Sequence, residues 1–246
     1  MKTHSLFAGF ATVALFALPV VLLAQTPAKT GPGYDPKAKA ILDGVSATAK
    51  AYQSITATFS ITMEKPAPDK TKDVKNGTVI LKGNMYKITL ENKDAKNVVT
   101  KEEYYNDGKT LWVYNEKQKE TTIDDAPDPA KKKNENQISP TEIFTIHEKG
   151  FKYTFIEEKT EGGVVVQYID LIPEQPDKKN YHKIKLKIDK AKKQIMSITQ
   201  MNKDGSKTTY LVKTFTPNVV YTDATFRYDK AAHPGVEVID LRIEEE

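Results

Sequence analysis

The stretch Asn106-Asp-Gly-Lys-Thr-Leu-Trp-Val-Tyr-Asn115 joins a turn signal to a strand signal. Asp107-Gly108 offers the positive-φ positions of a tight type I′ hairpin turn. Behind it, Leu111, Trp112, Val113 and Tyr114 form an apolar, β-prone run that holds the chain's only tryptophan. The pattern predicts two strands joined at Asp107-Gly108. Side chains alternate along a strand, so Trp112 and Tyr114 point opposite to Leu111 and Val113, and either pair is free to face inward.

Working outward, the same plan repeats. Upstream, Ile55, Ala57, Phe59, Ile61 and Met63 alternate with Thr56, Thr58, Ser60 and Thr62, which predicts a strand with one apolar and one polar face. Asn76-Gly77 reads as a turn before Thr78–Leu81, and Tyr86, Ile88 and Leu90 alternate with Lys87 and Thr89. Before these strands, Asp35-Pro36 reads as an N-cap with proline at the first helical position. Ala38, Ile41, Leu42, Val45, Ala49 and Tyr52 then recur at helical spacing, so a helix of about four turns carries one apolar stripe.

Downstream, Gln118–Ile123 continues the meander, and Asp124–Asn136, with two prolines and Lys131-Lys-Lys133, interrupts it as a loop. Ser139-Pro-Thr-Glu142 is a capping box opening a short helix through Ile143, Phe144 and Ile146. Strand patterns return at Phe151–Phe155, Val164–Ile172, Ile184–Ile188, Ile195–Met201 and Lys207–Phe215, with Thr225–Tyr228 as the last regular strand. The chain predicts a mainly β domain of about eleven strands and two helices without internal repeats.

Composition bounds what such a domain does. With 246 residues, 39% hydrophobic and 28% charged, the chain has the size of one β domain with a sizeable core. Met1–Ala24 reads as a signal peptide: Lys2 precedes the apolar run Leu6–Leu23, and small Ala24 suits cleavage. An uncleaved anchor is the alternative. Residues 25–36, with Pro27 and Gly31-Pro-Gly33, read as a flexible leader, leaving 37–246 as a single domain. The chain contains no cysteine, so it is not itself acylated on one, and no disulfide supports it. A bacterial periplasm is the compartment inferred.

Loss of Lys2 with the signal lowers the net charge from +4 to +3. That mild excess, spread along alternating strands without a stacking-aromatic motif, points away from nucleic acid. Lys131–Lys133 reads as a solvated loop. No nucleophile elbow, zinc-protease motif, P-loop or dinucleotide fingerprint occurs. His147, His182 and His233 lie far apart in sequence and read as surface or satisfied histidines, so neither catalysis nor a cofactor is expected.

Asp107-Gly-Lys-Thr-Leu-Trp112 with Tyr114-Asn115 resembles the signature hairpin of the periplasmic lipoprotein carrier family, the LolA-like proteins. The order of the mature chain is similar too: an amphipathic first helix, a strand holding Phe59, a Gly77-led strand pair, and the short Pro140 helix. The Phe226-Arg-Tyr228 segment and the Pro234-Gly-Val-Glu-Val-Ile-Asp240 ending complete the likeness.

The resemblance implies an incomplete, strongly curved antiparallel β-barrel covered by the N-terminal helix and a short lid helix. It further implies a monomeric carrier of acylated lipoproteins, loaded by an inner-membrane lipoprotein-releasing ABC transporter and unloaded onto an outer-membrane acceptor. Family members latch the lid with an arginine after the strand that begins here at Gly77; this chain has Lys82-Gly83-Asn84 there, so that latch is not carried over.

An acyl anchor exposes tens of methylenes worth roughly 0.8 kcal/mol each, and a curved sheet with an apolar inner wall would shield them. The candidate lining residues are Phe59, Ile61, Met63, Tyr86, Ile88, Leu90 and Leu111, with Ile143, Phe144 and Ile146 from the lid. Each is also a candidate for ordinary core. The alternative function is a lipid- or lipoprotein-sensing regulator on the same half-barrel, which would be expected to carry a further C-terminal domain. An outer-membrane acceptor would need a lipidated cysteine.

Overall fold

The computed structural model describes residues 31–94, 96–127, 140–141, 143–148 and 150–242. The expected export signal, the start of the expected leader, the Lys131–Lys133 cluster, and Ser139 and Glu142 of the expected capping box lie outside the described residues.

Helix α1 spans Pro36–Lys50. It starts where the sequence predicts, because the Asp35 carboxylate accepts the backbone N–H groups of Lys37 and Ala38, at 2.8 and 3.3 Å. Its second oxygen accepts the N–H of Phe155 at 2.9 Å, tying the cap to a strand. These three amide donors outweigh the opposing effect of burial, and the Asp35 carboxyl is held below the usual carboxylate range, Phe155 contributing most.

Twelve strands follow among the described residues: β1 (Ile55–Glu64), β2 (Lys72–Lys82), β3 (Met85–Lys93), β4 (Val99–Asn106), β5 (Thr110–Asn115) and β6 (Glu120–Asp125) form the first run. After a 3-10 helix at Ile143–Glu148 come β7 (Phe151–Glu161), β8 (Val164–Pro173), β9 (Tyr181–Asp189), β10 (Gln194–Asn202) and β11 (Lys207–Pro217), with β12 (Glu237–Asp240) last. They form one sheet in the order β12-β6-β5-β4-β3-β2-β1-β11-β10-β9-β8-β7. All neighbours are antiparallel except β12, which runs parallel to β6. β12 and β7 remain edges, so the sheet is an open, incomplete barrel.

Register fixes the faces. Ile61 of β1 lies opposite Tyr210 of β11, which lies opposite Ile198, then Leu186, Ile169 and Phe155 on successive strands. In the other direction Ala57 meets Val79, Ile88, Tyr104 and Val113. One apolar inner face therefore runs across the sheet.

Three local expectations are corrected. Asn76-Gly77 is not a turn but the middle of β2. A Cβ on Gly77 would sit 2.8 Å from the Phe59 ring and 2.7 Å from the Thr89 carbonyl oxygen, so glycine is required for close packing and not for chain reversal. The Asp107-Gly108 turn is not type I′, since only Gly108 has positive φ, at 90°. Side chains close it instead: Asn106 Oδ1 accepts from the Gly108 amide at 2.7 Å, and Asp107 Oδ1 from Lys109 and Thr110 at 3.0 Å. Thr225–Tyr228 is not a strand. Asp223–Phe226 forms a 3-10 helix, and the twelfth strand is Glu237–Asp240. The apolar spacing of Phe226 and Tyr228 docks this segment on the outer face instead of building a ladder; Phe226 is fully buried.

Candidate functional site

The inner face divides at β1 into two halves with different cover. Over β7 to β10, α1 places Ala38, Leu42 and Val45 against Ile169, Leu171, Ile184, Leu186 and Ile188, all essentially inaccessible. Over β1 to β5, a smaller cluster of Ile55, Leu81 and Tyr86 is buried, and Val79, Ile88, Tyr104 and Leu111 around it are only partly so. The second half is an apolar surface that the described residues leave half open.

The sequence candidates fall on this face. Phe59, Ile61 and Met63 of β1, Tyr86, Ile88 and Leu90 of β3, and Leu111 of β5 are cross-strand neighbours on the inner side. Tyr86 is buried, Met63 is 37% exposed, and the other five are intermediate. The question left open at Leu111–Tyr114 has an answer: Leu111 packs into the inner cluster. Tyr114 faces outward, its ring 5.8 Å from Tyr228 and 4.4 Å from His233. At the far side of the apolar field the face turns polar, where Leu90 lies opposite Glu102. The Glu102 carboxylate accepts the Tyr104 hydroxyl at 2.5 Å; burial, and then this bond, push the Tyr104 phenol upward.

The three remaining candidates form the cover. Ile143, Phe144 and Ile146, on the 3-10 helix Ile143–Glu148, pack against the sealed cluster, and Phe144 also touches the open one. Phe144 thus stands at the seam. The seam is tight, with about 10 Å³ left among Val45, Tyr52, Phe144 and Phe215. The candidate residues present an open wall, not an enclosed hollow. A recess of about 750 Å³ lies at the other flank of α1, beside Ile41, Phe155 and Ile188.

Polar contacts among the described residues fix the cover to α1. Ser46 donates its hydroxyl to the Phe144 carbonyl at 2.6 Å, Lys50 pairs with Glu148 at 3.2 Å, and Nε2 of His147 lies 3.3 Å from the Asp43 carboxylate. His147 corrects the expectation of a surface or satisfied histidine. Its side chain is 3% exposed, and its Nδ1 is buried without a hydrogen-bond partner. Burial lowers the His147 pKa, and Asp43 opposes that shift. Lys82, at the place of the family's arginine, does not reach the cover. Its ammonium donates to the Tyr221 carbonyl at 3.0 Å and pairs with Asp223 at 2.8 Å, so it clamps the C-terminal segment on the outer face.

That segment was missed as a structural device. Arg227 pairs with Asp107 at 3.0 Å, joining the closing segment to the hairpin loop. Tyr228 packs on Tyr105 and Tyr114, and Tyr221 shares a 2.8 Å hydrogen bond with Thr56. Two stretches that carry the resemblance thus touch. Among the described residues, no group of three or more His, Asp or Glu side chains is placed to hold a metal ion.

The sequence model of the family described as "Outer membrane lipoprotein carrier protein LolA" matches residues 49–229. No curated protein matches the sequence. Among solved structures, the fold is similar to an uncharacterized conserved protein from Thermus thermophilus, at 13% identity and TM-score 0.52, covering 83% of this chain and 99% of that one. The lipoprotein LppX from Mycobacterium tuberculosis gives 9% identity and TM-score 0.47, with 76% and 98% covered. A LolA superfamily protein from Nitrosomonas europaea gives 12%, TM-score 0.39, and 78% and 98%. At such identities these are likenesses of fold alone.

Proposed function

The chain belongs to the family of the outer membrane lipoprotein carrier protein LolA, and from that membership we propose that it carries acylated lipoproteins through the periplasm. The fold is a binding and carrier fold, and homologues in the family are periplasmic. In this reading the protein takes lipoproteins released by an inner-membrane ABC transporter and hands them to an outer-membrane acceptor. It acts as a monomer and uses no cofactor.

The observation that carries the reading is the unequal cover of the inner face. Phe59, Ile61, Ile88 and Leu111 continue a fully buried face across β1, yet stay half open in the described residues. Acyl chains laid on that wall would lose water contact, at roughly 0.8 kcal/mol per buried methylene. Phe144 touches both clusters, so in this reading it marks the border between cargo wall and core.

Native mass spectrometry of the mature protein with a triacylated lipoprotein tests the proposal. The wild type retains the lipoprotein as a one-to-one adduct. Ile88→Glu and Phe144→Glu lose it, because each puts an unpaired charge in the apolar field. Leu211→Glu, at an outer-face position that is 47% exposed, keeps it. Unchanged affinity in folded Ile88→Glu and Phe144→Glu proteins rules the wall out as the acyl site.

A further inference from the structure

The recess of about 750 Å³ is separated from the half-open wall by α1 itself. Its volume falls within the range of small-molecule sites, about 300–1,000 Å³. The floor is apolar: Ile41 from α1 and Phe155 from β7, both partly exposed, backed by fully buried Ile188 from β9. The rim carries Lys37, Lys190 and Lys193 against one acid, Glu158. Glu158 is already neutralised by Lys190 at 2.8 Å and receives Gln167 at 3.0 Å; these two contacts hold its carboxyl below the ordinary range. Lys37 lies 3.5 Å above the Phe155 ring, and Lys193 has no ion-pair partner among the described residues. Lys37 feels the Glu158 and Asp35 carboxylates only at a distance, so neither ammonium has a direct ion pair among the described residues beside this apolar floor.

We propose that this recess binds a single-chain anionic amphiphile, its chain along Ile41 and Phe155 and its head between Lys37 and Lys193. A neutral apolar molecule would leave both ammoniums without a counter-charge. A small hydrophilic anion would leave the floor unused. The site is independent of the cargo wall and stands whether or not that wall takes acyl chains.

Dodecyl phosphate is the probe, titrated calorimetrically into the mature protein below its micellar concentration, with dodecyl maltoside and inorganic phosphate as controls. Dodecyl phosphate binds about tenfold more tightly than either control, since each lacks one half of the recognition. Lys37→Ala combined with Lys193→Asn removes about that tenfold preference; asparagine suits the left-handed backbone at Lys193, where φ is 50°. Gly44→Leu fills the recess from the helix side, where an added Cβ meets only the Lys193 chain at 3.5 Å and beyond, and leucine favours the helix. It abolishes binding without unfolding the protein. Ile88→Glu leaves binding unchanged. Equal binding of inorganic phosphate or of the maltoside overturns the proposal. So does a loss in Ile88→Glu with none in Gly44→Leu, which would place the amphiphile on the cargo wall.

Discussion

Strands β9 and β3 carry nearly the same pattern, Ile184-Lys-Leu-Lys-Ile188 and Tyr86-Lys-Ile-Thr-Leu90, on the same face of the same sheet. In β9 all three apolar side chains are at most 1% exposed; in β3 only Tyr86 is buried. The difference lies above the sheet, not in it. α1 and the 3-10 helix Ile143–Glu148 sit on the β9 half, and on its inner face β3 has, among the described residues, only Phe144 of that cover beside its cluster. Alternation assigns a side chain to a face, and whether that face is core or binding wall depends on what a distant segment covers.

The largest expected effect exploits that contrast. Ile184→Ala removes methylenes from a fully packed site and costs about 2–5 kcal/mol of unfolding free energy in a urea titration. Ile88→Ala, half open already, costs about 1 kcal/mol or less while weakening cargo. Equal losses at the two positions would erase the distinction between sealed and open halves.

A middle-sized effect is expected where the two halves join. Gly77→Ala drives a methyl into the Phe59 ring and the Thr89 carbonyl, which are backbone and ring neighbours with little room to yield. It destabilises by about 1–3 kcal/mol. Gly77→Ala combined with Phe59→Leu recovers part of that loss, because the nearest ring atom is gone. Recovery in the double variant identifies the ring as the obstacle; its absence assigns the strain to the Thr89 carbonyl and the Leu90 side chain, 2.9 Å from the added Cβ.

Legibility in the sequence followed the range of the interactions. α1 was readable because its cap, Asp35-Pro36, and its stripe are local. β1 was readable because a period of two needs no partner to be seen. All ten candidate residues were readable as apolar, and six as sharing a face within their own strand, three on β1 and three on β3; the face of Leu111 was not. Their cover was not, since Ser46 meets Phe144 across 98 positions of chain. Gly77 was misread because Asn-Gly signals a turn locally, whereas its reason is Phe59 on the neighbouring strand. The recess beside Lys37 and Lys193 was invisible: it is assembled from α1, three strands and the β9–β10 turn, and no two of its elements share a motif.

The smallest effect concerns how the sealed half is held shut. His147 is buried under α1 and faces Asp43 and Lys39 from the helix, Tyr153 from β7, and Glu148 on its own segment. Burial disfavours the imidazolium, so the folded-state pKa lies below the unfolded value of about 6.5, although Asp43 pulls the other way. Between those two values the unfolded chain binds more protons than the folded one. Stability is therefore level above pH of about 6.5 and declines as pH falls toward the folded-state pKa. Urea midpoints measured downward from pH of about 8 show this decline in the wild type. His147→Gln keeps an amide donor for Asp43 but cannot be charged, so its midpoint stays level through the same interval. Binding of a hydrophobic dye rises with the wild-type decline and not in the variant, because a proton on His147 loosens the cover and makes the sealed half resemble the open one. A variant that declines in step with the wild type would move the pH dependence to another group and leave Ser46 and Lys50 as the contacts that hold the cover.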